Sequence, residues 1–235
     1  MTREAGSSIW VHLGCSLITP PNWVNVDGSW NAKHAKHPVL RRPLHLLHVT
    51  VSDKIKIQWN SKILIHDLRK RLPFRDGSAS AIYSSHVLEH MYYDDGQRLI
   101  RECSRVLEKG GVLRPVVPDL HTIVREYLGE HPFWESSNGA NHVPPADQMN
   151  VRLLMKSKSP PSGNLFSRLY GSWMDFHSHK WMYDANSLIH HMESAGFVEV
   201  RQMNLHESRI PEIEQVEDPS RVLEGEGICI EGVKP

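Results

Sequence analysis

The stretch from Leu72 to Asp119 constrains the fold of this chain more than any other. It opens with LPFRDGSASAIYSSHVLEH, runs through one amphipathic segment and closes with RVLEKGGVLRPVVPD. An apolar run, a helix-period stripe, a Gly-Gly turn and a second apolar run make the βαβ grammar of a parallel sheet with helices on its faces. Ile82 and Tyr83 lead into a polar strand end, Ser84, Ser85 and His86. Open α/β sheets bind ligands beyond the carboxyl ends of their strands. His86, Glu89 and His90 therefore stand where a site is expected.

The flanking sequence extends this pattern. Ile9 to Leu13 reads as a first strand ending in a turn at Gly14, and Trp23 to Val26 as a second, ended by Asp27. Only Gly14 to Asn22 separates them, with Pro20 and Pro21 inside. Parallel crossovers normally need about a dozen residues or more, so a very short helix or an extended loop is predicted here. Pro38 and Pro43 break the helical spacing between Trp30 and His48, and Ile55, Ile57 and Trp59 alternate as a small strand. Ile63 to Ile65 and Ala79 to Tyr83 are apolar enough for buried strands. Asp94 or Asp95 is expected to cap a helix carrying Leu99, Ile100, Cys103, Val106 and Leu107, closed by Lys109 and Gly110. Val112 to Val117 follows as a strand in which Pro115 suits a bulge. Asp119 opens a helix, and Asp184 caps another that ends at Gly196. Phe197 to Met203 and Ile228 to Val233 are the closing strands. Residues 131–183 lose all periodicity and read as an insertion. The expected whole is one α/β domain over 1–235, a doubly wound, mostly parallel seven-stranded Rossmann-like sheet, with 131–183 as a lid-like insertion before the last two strands.

Composition narrows the partners. Lys+Arg and Asp+Glu both number 27, so the chain lacks the basic excess of a general nucleic-acid binder, and Arg41, Arg42, Lys33 and Lys36 read as a solvated face. Cys15, Cys103 and Cys229 are odd in number and form no C-x-x-C pair, which fits a reducing compartment better than a disulfide framework. No apolar run reaches the roughly 18 residues of a membrane span, and MTREAGSS does not resemble a signal peptide. A cytoplasmic protein with no nucleic-acid or membrane partner is expected.

A strand ending in a glycine turn, followed by a strand ending in an acid, is a nucleotide-site constellation. The turn lets backbone approach the ligand and the carboxylate takes ribose hydroxyls. Gly14-Cys15-Ser16 and Asp27 supply both parts. A dinucleotide fingerprint would want three glycines and an acid about 20 residues on, which disfavours a nicotinamide oxidoreductase. Ser16 has a Cβ where a second glycine would be expected. If that position requires φ > 0, strain of roughly 1–2 kcal/mol follows.

VHLGCS with NWVNVDGSWNA, HDLRKRLPF, YSSHVLEH, RECSRVLEKGGVLRPVVPDL, DFHSHKWMYDANSLI and ICIEGVKP, in this order, resemble a bacterial family of predicted class I S-adenosylmethionine-dependent methyltransferases (methyltransferase type 11-like). Some of its members are linked by similarity to cell-surface polysaccharide pathways. The resemblance implies S-adenosylmethionine as cofactor, held by Gly14, Cys15, Ser16, Asp27, Asp67, Leu68, Ser84 and Ser85. Asp67 and Leu68 would meet the adenine ring, and the two serines the methionine end. It implies methylation of a small-molecule or glycan acceptor, with O-methylation favoured. A degenerate, non-catalytic binding or partner protein of the same fold is the alternative, motivated by Ser16 and the short first crossover.

Transfer to a hydroxyl is helped by a base titrating near neutrality, which singles out histidine. The candidates are His86 and His90, one helical turn apart, and His179 at the end of the insertion, with His142 also in the insertion. His177, Lys180, Trp181 and Tyr183 are candidate acceptor contacts, and Trp134, Trp173 and Trp181 could stack on an acceptor. A metal held by His177 and His179 with Asp175 or Asp184 lacks a clear third ligand, and no metal site is expected.

Overall fold

A computed structural model describes residues 8–29, 32–33, 60, 62–130, 144–154, 178–222 and 227–235. Seven strands form one sheet: β1 (Ile9–Leu13), β2 (Val24–Asp27), β3 (Leu64–Ile65), β4 (Ala79–Ser85), β5 (Leu107–Pro118), β6 (Val198–Met203) and β7 (Gly227–Val233). Their order across the sheet is β3-β2-β1-β4-β5-β7-β6. All pairs from β3 to β5 are parallel, and β7 runs antiparallel to both of its neighbours. The order reverses between β1 and β4, so the crevice of a doubly wound sheet opens at the carboxyl ends of these two strands.

Strand alternation sorts the side chains between two apolar layers. Val11, Leu13, Ile82, Leu113, Val117, Ile228 and Ile230 pack with Leu99, Ile100, Cys103 and Val106 of helix α1 (Tyr93–Val106), and with Leu188 and Met192 of α4 (Ala185–Ser194). The opposite face places Trp23, Ala81, Tyr83, Val112, Val116 and Cys229 under Ile210, Ile213 and Val216. Between β5 and α4 lie α2 (Leu120–Tyr127) and α3 (Pro145–Leu153), joined by the Arg152–Glu126 ion pair at 3.2 Å.

Most sequence expectations hold at the level of elements and shift at their ends. The first crossover is indeed an extended loop, pinned by turn bonds from Ile18 N–H to Cys15 O and from Trp23 N–H to Pro20 O. Helix α1 starts after Tyr92, with Asp94 and Asp95 in its first turn rather than at the cap; there they favour the positive end of the helix dipole. It stops at Val106, three residues before Lys109, because Leu107 already pairs with Ala79 in the sheet. Pro115 sits opposite Ser84 in regular register, and the register shift falls between Ala79 and Ala81 instead. Asp184 forms a capping box with Ser187 at α4, and Asp119 caps α2 through His121 and Thr122. The three cysteines are free and buried. The expected strand at Ile55 to Trp59 and the broken helix at Trp30 to His48 lie almost wholly outside the described residues. Among the described residues no helix is long and apolar enough to cross a membrane.

Candidate active site

Four neighbouring strands deliver the expected cofactor residues to one edge of the sheet. Gly14-Cys15-Ser16 leaves β1, Asp27 ends β2, Asp67 and Leu68 follow β3, and Ser84 and Ser85 end β4. Gly14 takes φ +68°, and a Cβ there would overlap Val87 Cγ2, so only glycine lets this turn lie against the residue that follows His86. A Cβ at Gly28 would likewise overlap the carbonyl of His66. That glycine, directly after the acid, was the signal of close β2–β3 packing that reading for a nucleotide pattern alone passes over.

Ser16 stands at φ +47°, so the condition for strain is met. Its N–H donates to Asp27 Oδ2 (3.0 Å), and Ser29 N–H donates to Asp27 Oδ1 (2.7 Å). The carboxylate thus clasps the loops after β1 and β2 together. Each oxygen keeps a second lone pair for a ribose hydroxyl. Burial, reinforced by Asp27, pushes the Cys15 thiol up to about 12 and keeps it protonated. Asp67 is held by Arg69 through Nε (2.9 Å) and Nη2 (2.8 Å), and these bonds keep its carboxyl below the usual range. Arg69 was not foreseen as the partner of Asp67. Leu68 and Ser84 are buried.

Beyond β4 the chain makes a sharp corner. His86 adopts φ +53° while its N–H donates to Val116 O, and a 3-10 turn over Leu88–His90 follows. Non-glycine residues in this region carry strain that recurs at functional sites. The returning segment 178–181 is stitched onto the turn: Lys180 and Trp181 N–H donate to Glu89 O (2.7 and 3.3 Å), and Lys180 Nζ donates to His90 O (3.1 Å). This stitching brings the His90 and His179 rings to 4.9 Å, from residues far apart in sequence. His86 Nδ1 lies 3.0 Å from Glu89 Oε1, and Glu89 is fully buried. Burial pushes the imidazoles of His90 and His179 down, which favours their neutral forms.

The three candidate bases therefore converge, and Glu89 joins them as a fourth member that sequence position noted without a role. The acceptor candidates fare differently. Tyr183 is fully buried, its hydroxyl facing Gly96, and it bridges to Asp119; it is a core residue, not a surface for an acceptor. Lys180 is drawn onto backbone carbonyls and the ring of Tyr92. Trp181 remains 44% exposed, with Tyr93 against its ring at 4.8 Å. His177, His142, Trp134 and Trp173 lie outside the described residues.

Residues 44–114 match the methyltransferase domain family. No curated protein matches the chain. Among solved structures, a Haloferax volcanii methyltransferase complexed with the Trm112 activator is 14% identical, covering 97% of this chain and 83% of that one, with TM-score 0.44. An S-adenosylmethionine-dependent methyltransferase from Thermotoga maritima is 17% identical over 98% of this chain and 84% of that one, with TM-score 0.46. The geranyl diphosphate C-methyltransferase of Streptomyces coelicolor is 12% identical over 97% and 71%, with TM-score 0.43. The family match thus covers residues 44–114, and the sheet order β3-β2-β1-β4-β5-β7-β6 is that of a doubly wound, Rossmann-like fold.

Proposed function

We propose that this chain binds S-adenosylmethionine across the carboxyl ends of β1 to β4 and methylates an oxygen of a small-molecule or glycan acceptor. The observation that carries this is the convergence, on one sheet edge, of the Gly14 turn, the Asp27 clasp and three histidines from two distant segments. When bound, the cofactor supplies an electrophilic methyl group on a sulfonium. Asp27 would take ribose hydroxyls on its remaining lone pairs, Asp67 and Leu68 would flank the adenine, and Ser84 and Ser85 would line the methionine end. His86, His90 or His179 would accept the acceptor's proton. Residues 178–181 are tied to the 3-10 turn, so the end of the 131–183 insertion would lie beside the acceptor, with the exposed ring of Trp181 available to it.

Calorimetric titration with S-adenosylmethionine and S-adenosylhomocysteine, alongside Asp27→Ala, tests the cofactor half. Micromolar binding lost in the variant is the expected result. Absence of binding at millimolar ligand would favour the non-catalytic alternative, for which the left-handed Ser16 and the Arg69 ion pair on Asp67 are the supporting observations. The acceptor half is tested by radiolabelled methyl transfer to hydroxylated acceptors. Turnover only on amines or carbon acids would overturn it.

A further inference from the structure

The feature this function leaves unexplained is Glu89. It is 0% exposed, and no well-formed hydrogen bond reaches either carboxylate oxygen; the nearest polar group is His86 Nδ1, 3.0 Å from Oε1. A buried carboxylate costs several kcal/mol unless donors or a cation compensate both of its oxygens, and one neighbouring imidazole cannot serve both. Two other polar atoms face the same difficulty: His179 Nδ1 and His86 Nε2 are buried and have no hydrogen-bond partner. One ligand atom each from Glu89, His90 and His179 lies within 4.8 Å of the others.

We infer that Glu89, His90 and His179 form a divalent metal site beside the methyl-transfer position, with His86 at its edge. Atoms so spaced share a point within about 2.8 Å of all three, and side-chain adjustments of under ~1 Å bring each to the 2.0–2.2 Å of a first-row transition ion. The supporting shell is already in place. His90 Nδ1 lies 3.3 Å from Ser178 O, the backbone contact that fixes an imidazole tautomer and leaves Nε2 to ligate. Lys180 and Trp181 N–H grip the backbone of Glu89 itself. Two imidazoles and one carboxylate suit Zn²⁺, Co²⁺ or Fe²⁺ better than Mg²⁺ or Ca²⁺, which favour oxygen ligands. Three protein ligands leave at least one position open, as in catalytic rather than structural sites. On the methyltransferase proposal above, that position takes the acceptor hydroxyl and lowers its pKa. His86 Nε2 is then the base that remains free of the metal.

Of the partners that the sequence offered for His179, His177 and Asp175 lie outside the described residues. Asp184 is spent on the α4 cap, and the third ligand comes from the turn after β4, some ninety residues from His179.

The test is Co²⁺ titration of chelator-treated protein without S-adenosylmethionine, followed by visible d–d absorption and calorimetry. The wild type is expected to bind one equivalent with the spectrum of a nitrogen–oxygen site. Glu89→Gln and His179→Gln are each expected to weaken binding by at least ~100-fold. Exposed His190→Gln, whose neighbour His191 could hold a metal adventitiously, is expected to change nothing. Circular dichroism and urea unfolding of each metal-free variant separate lost ligation from lost fold, and Glu89→Gln is expected to be at least as stable as the wild type. Wild-type binding no tighter than that of either variant overturns the metal site. Because the readout contains no cofactor, failure here leaves the calorimetric S-adenosylmethionine result intact, and the converse also holds.

Discussion

Two buried acidic clusters flank the middle of this sheet, and they are built on opposite principles. On one face Arg114 of β5, with no exposed surface, donates to Glu217 through Nε (2.9 Å) and Nη2 (3.1 Å), and to the carbonyls of Asn204 and Glu207. Glu217 also accepts from His206 N–H (2.6 Å), and Glu231 accepts from Ser208 Oγ and Arg209 N–H. Donors thus meet both oxygens of each carboxylate. At the carboxyl end of β4, Glu89 is as deeply buried, but its nearest polar neighbour is the His86 ring, 3.0 Å from one oxygen, and no well-formed hydrogen bond reaches either. A saturated cluster fixes one arrangement of the chain, here the segment 204–217 over β5 and β7. An unsaturated one keeps coordination in reserve for something that arrives later. The contrast separates a structural ion pair from a site, although both read simply as buried charge.

The sharpest break of this comparison is Arg114→Leu. It removes the cation and strands two buried carboxylates, so a loss of about 3–5 kcal/mol in urea unfolding is expected. A loss below 1 kcal/mol would mean that the network is not what seats the 204–217 segment. Next in size is acid sensitivity from a third buried polar group. His12 lies between the rings of Trp23 and Tyr83, and burial pushes its imidazole down to about 4, against 6.5 when unfolded. Between those values the unfolded chain takes up a proton that the folded chain refuses. Stability should therefore be unaffected by this group above about pH 6.5, fall by up to ~3 kcal/mol as pH drops to 4, and fall no further from it below that. Urea midpoints from pH 7.5 to 4 should show this slope, and His12→Gln should flatten most of it.

Much of this was legible because it is local. The βαβ unit from Leu72 to Asp119, the Gly14 turn, the acid ending β2 and the caps at Asp119 and Asp184 depend on neighbours within a few residues. Tyr183 was misjudged because its polar tip and its place in an aromatic run suggested a surface, whereas the Asp119 bridge pulls it into the core. The end of α1 was placed late because Gly110 looks like a helix cap, and sheet pairing at Leu107 overrode that local preference. The two charged clusters were invisible for one common reason. Arg114 meets Glu217, and His90 meets His179, across sequence separations that no periodicity encodes.

A paired substitution sharpens the comparison at about 2 kcal/mol. Glu217→Gln removes charge from a carboxylate whose donors need it, and should destabilise the metal-free protein by about 2 kcal/mol. Glu89→Gln removes a buried charge that has few donors, and should leave stability unchanged or raise it by about 1–2 kcal/mol. Opposite signs from the same chemical change, read by urea unfolding in chelator, would establish that the clusters differ in saturation and not only in location. Equal losses would erase the distinction.

The smallest expected effect concerns strain in the backbone rather than in charge. Ser16 holds φ +47° while its N–H serves the Asp27 clasp, so the loop keeps a left-handed residue to make a hydrogen bond it could keep with glycine. Ser16→Gly relieves roughly 1 kcal/mol of that strain, but glycine adds freedom to the unfolded chain that offsets much of it. A net change within about 1 kcal/mol is expected. Because the strain is present before any ligand arrives, relieving it should alter S-adenosylmethionine affinity by no more than about twofold. A tenfold tightening in calorimetry would show that binding demands further left-handed distortion at this residue. The cofactor loop would then resemble Glu89, holding tension in reserve, rather than Arg114, which has none left to release.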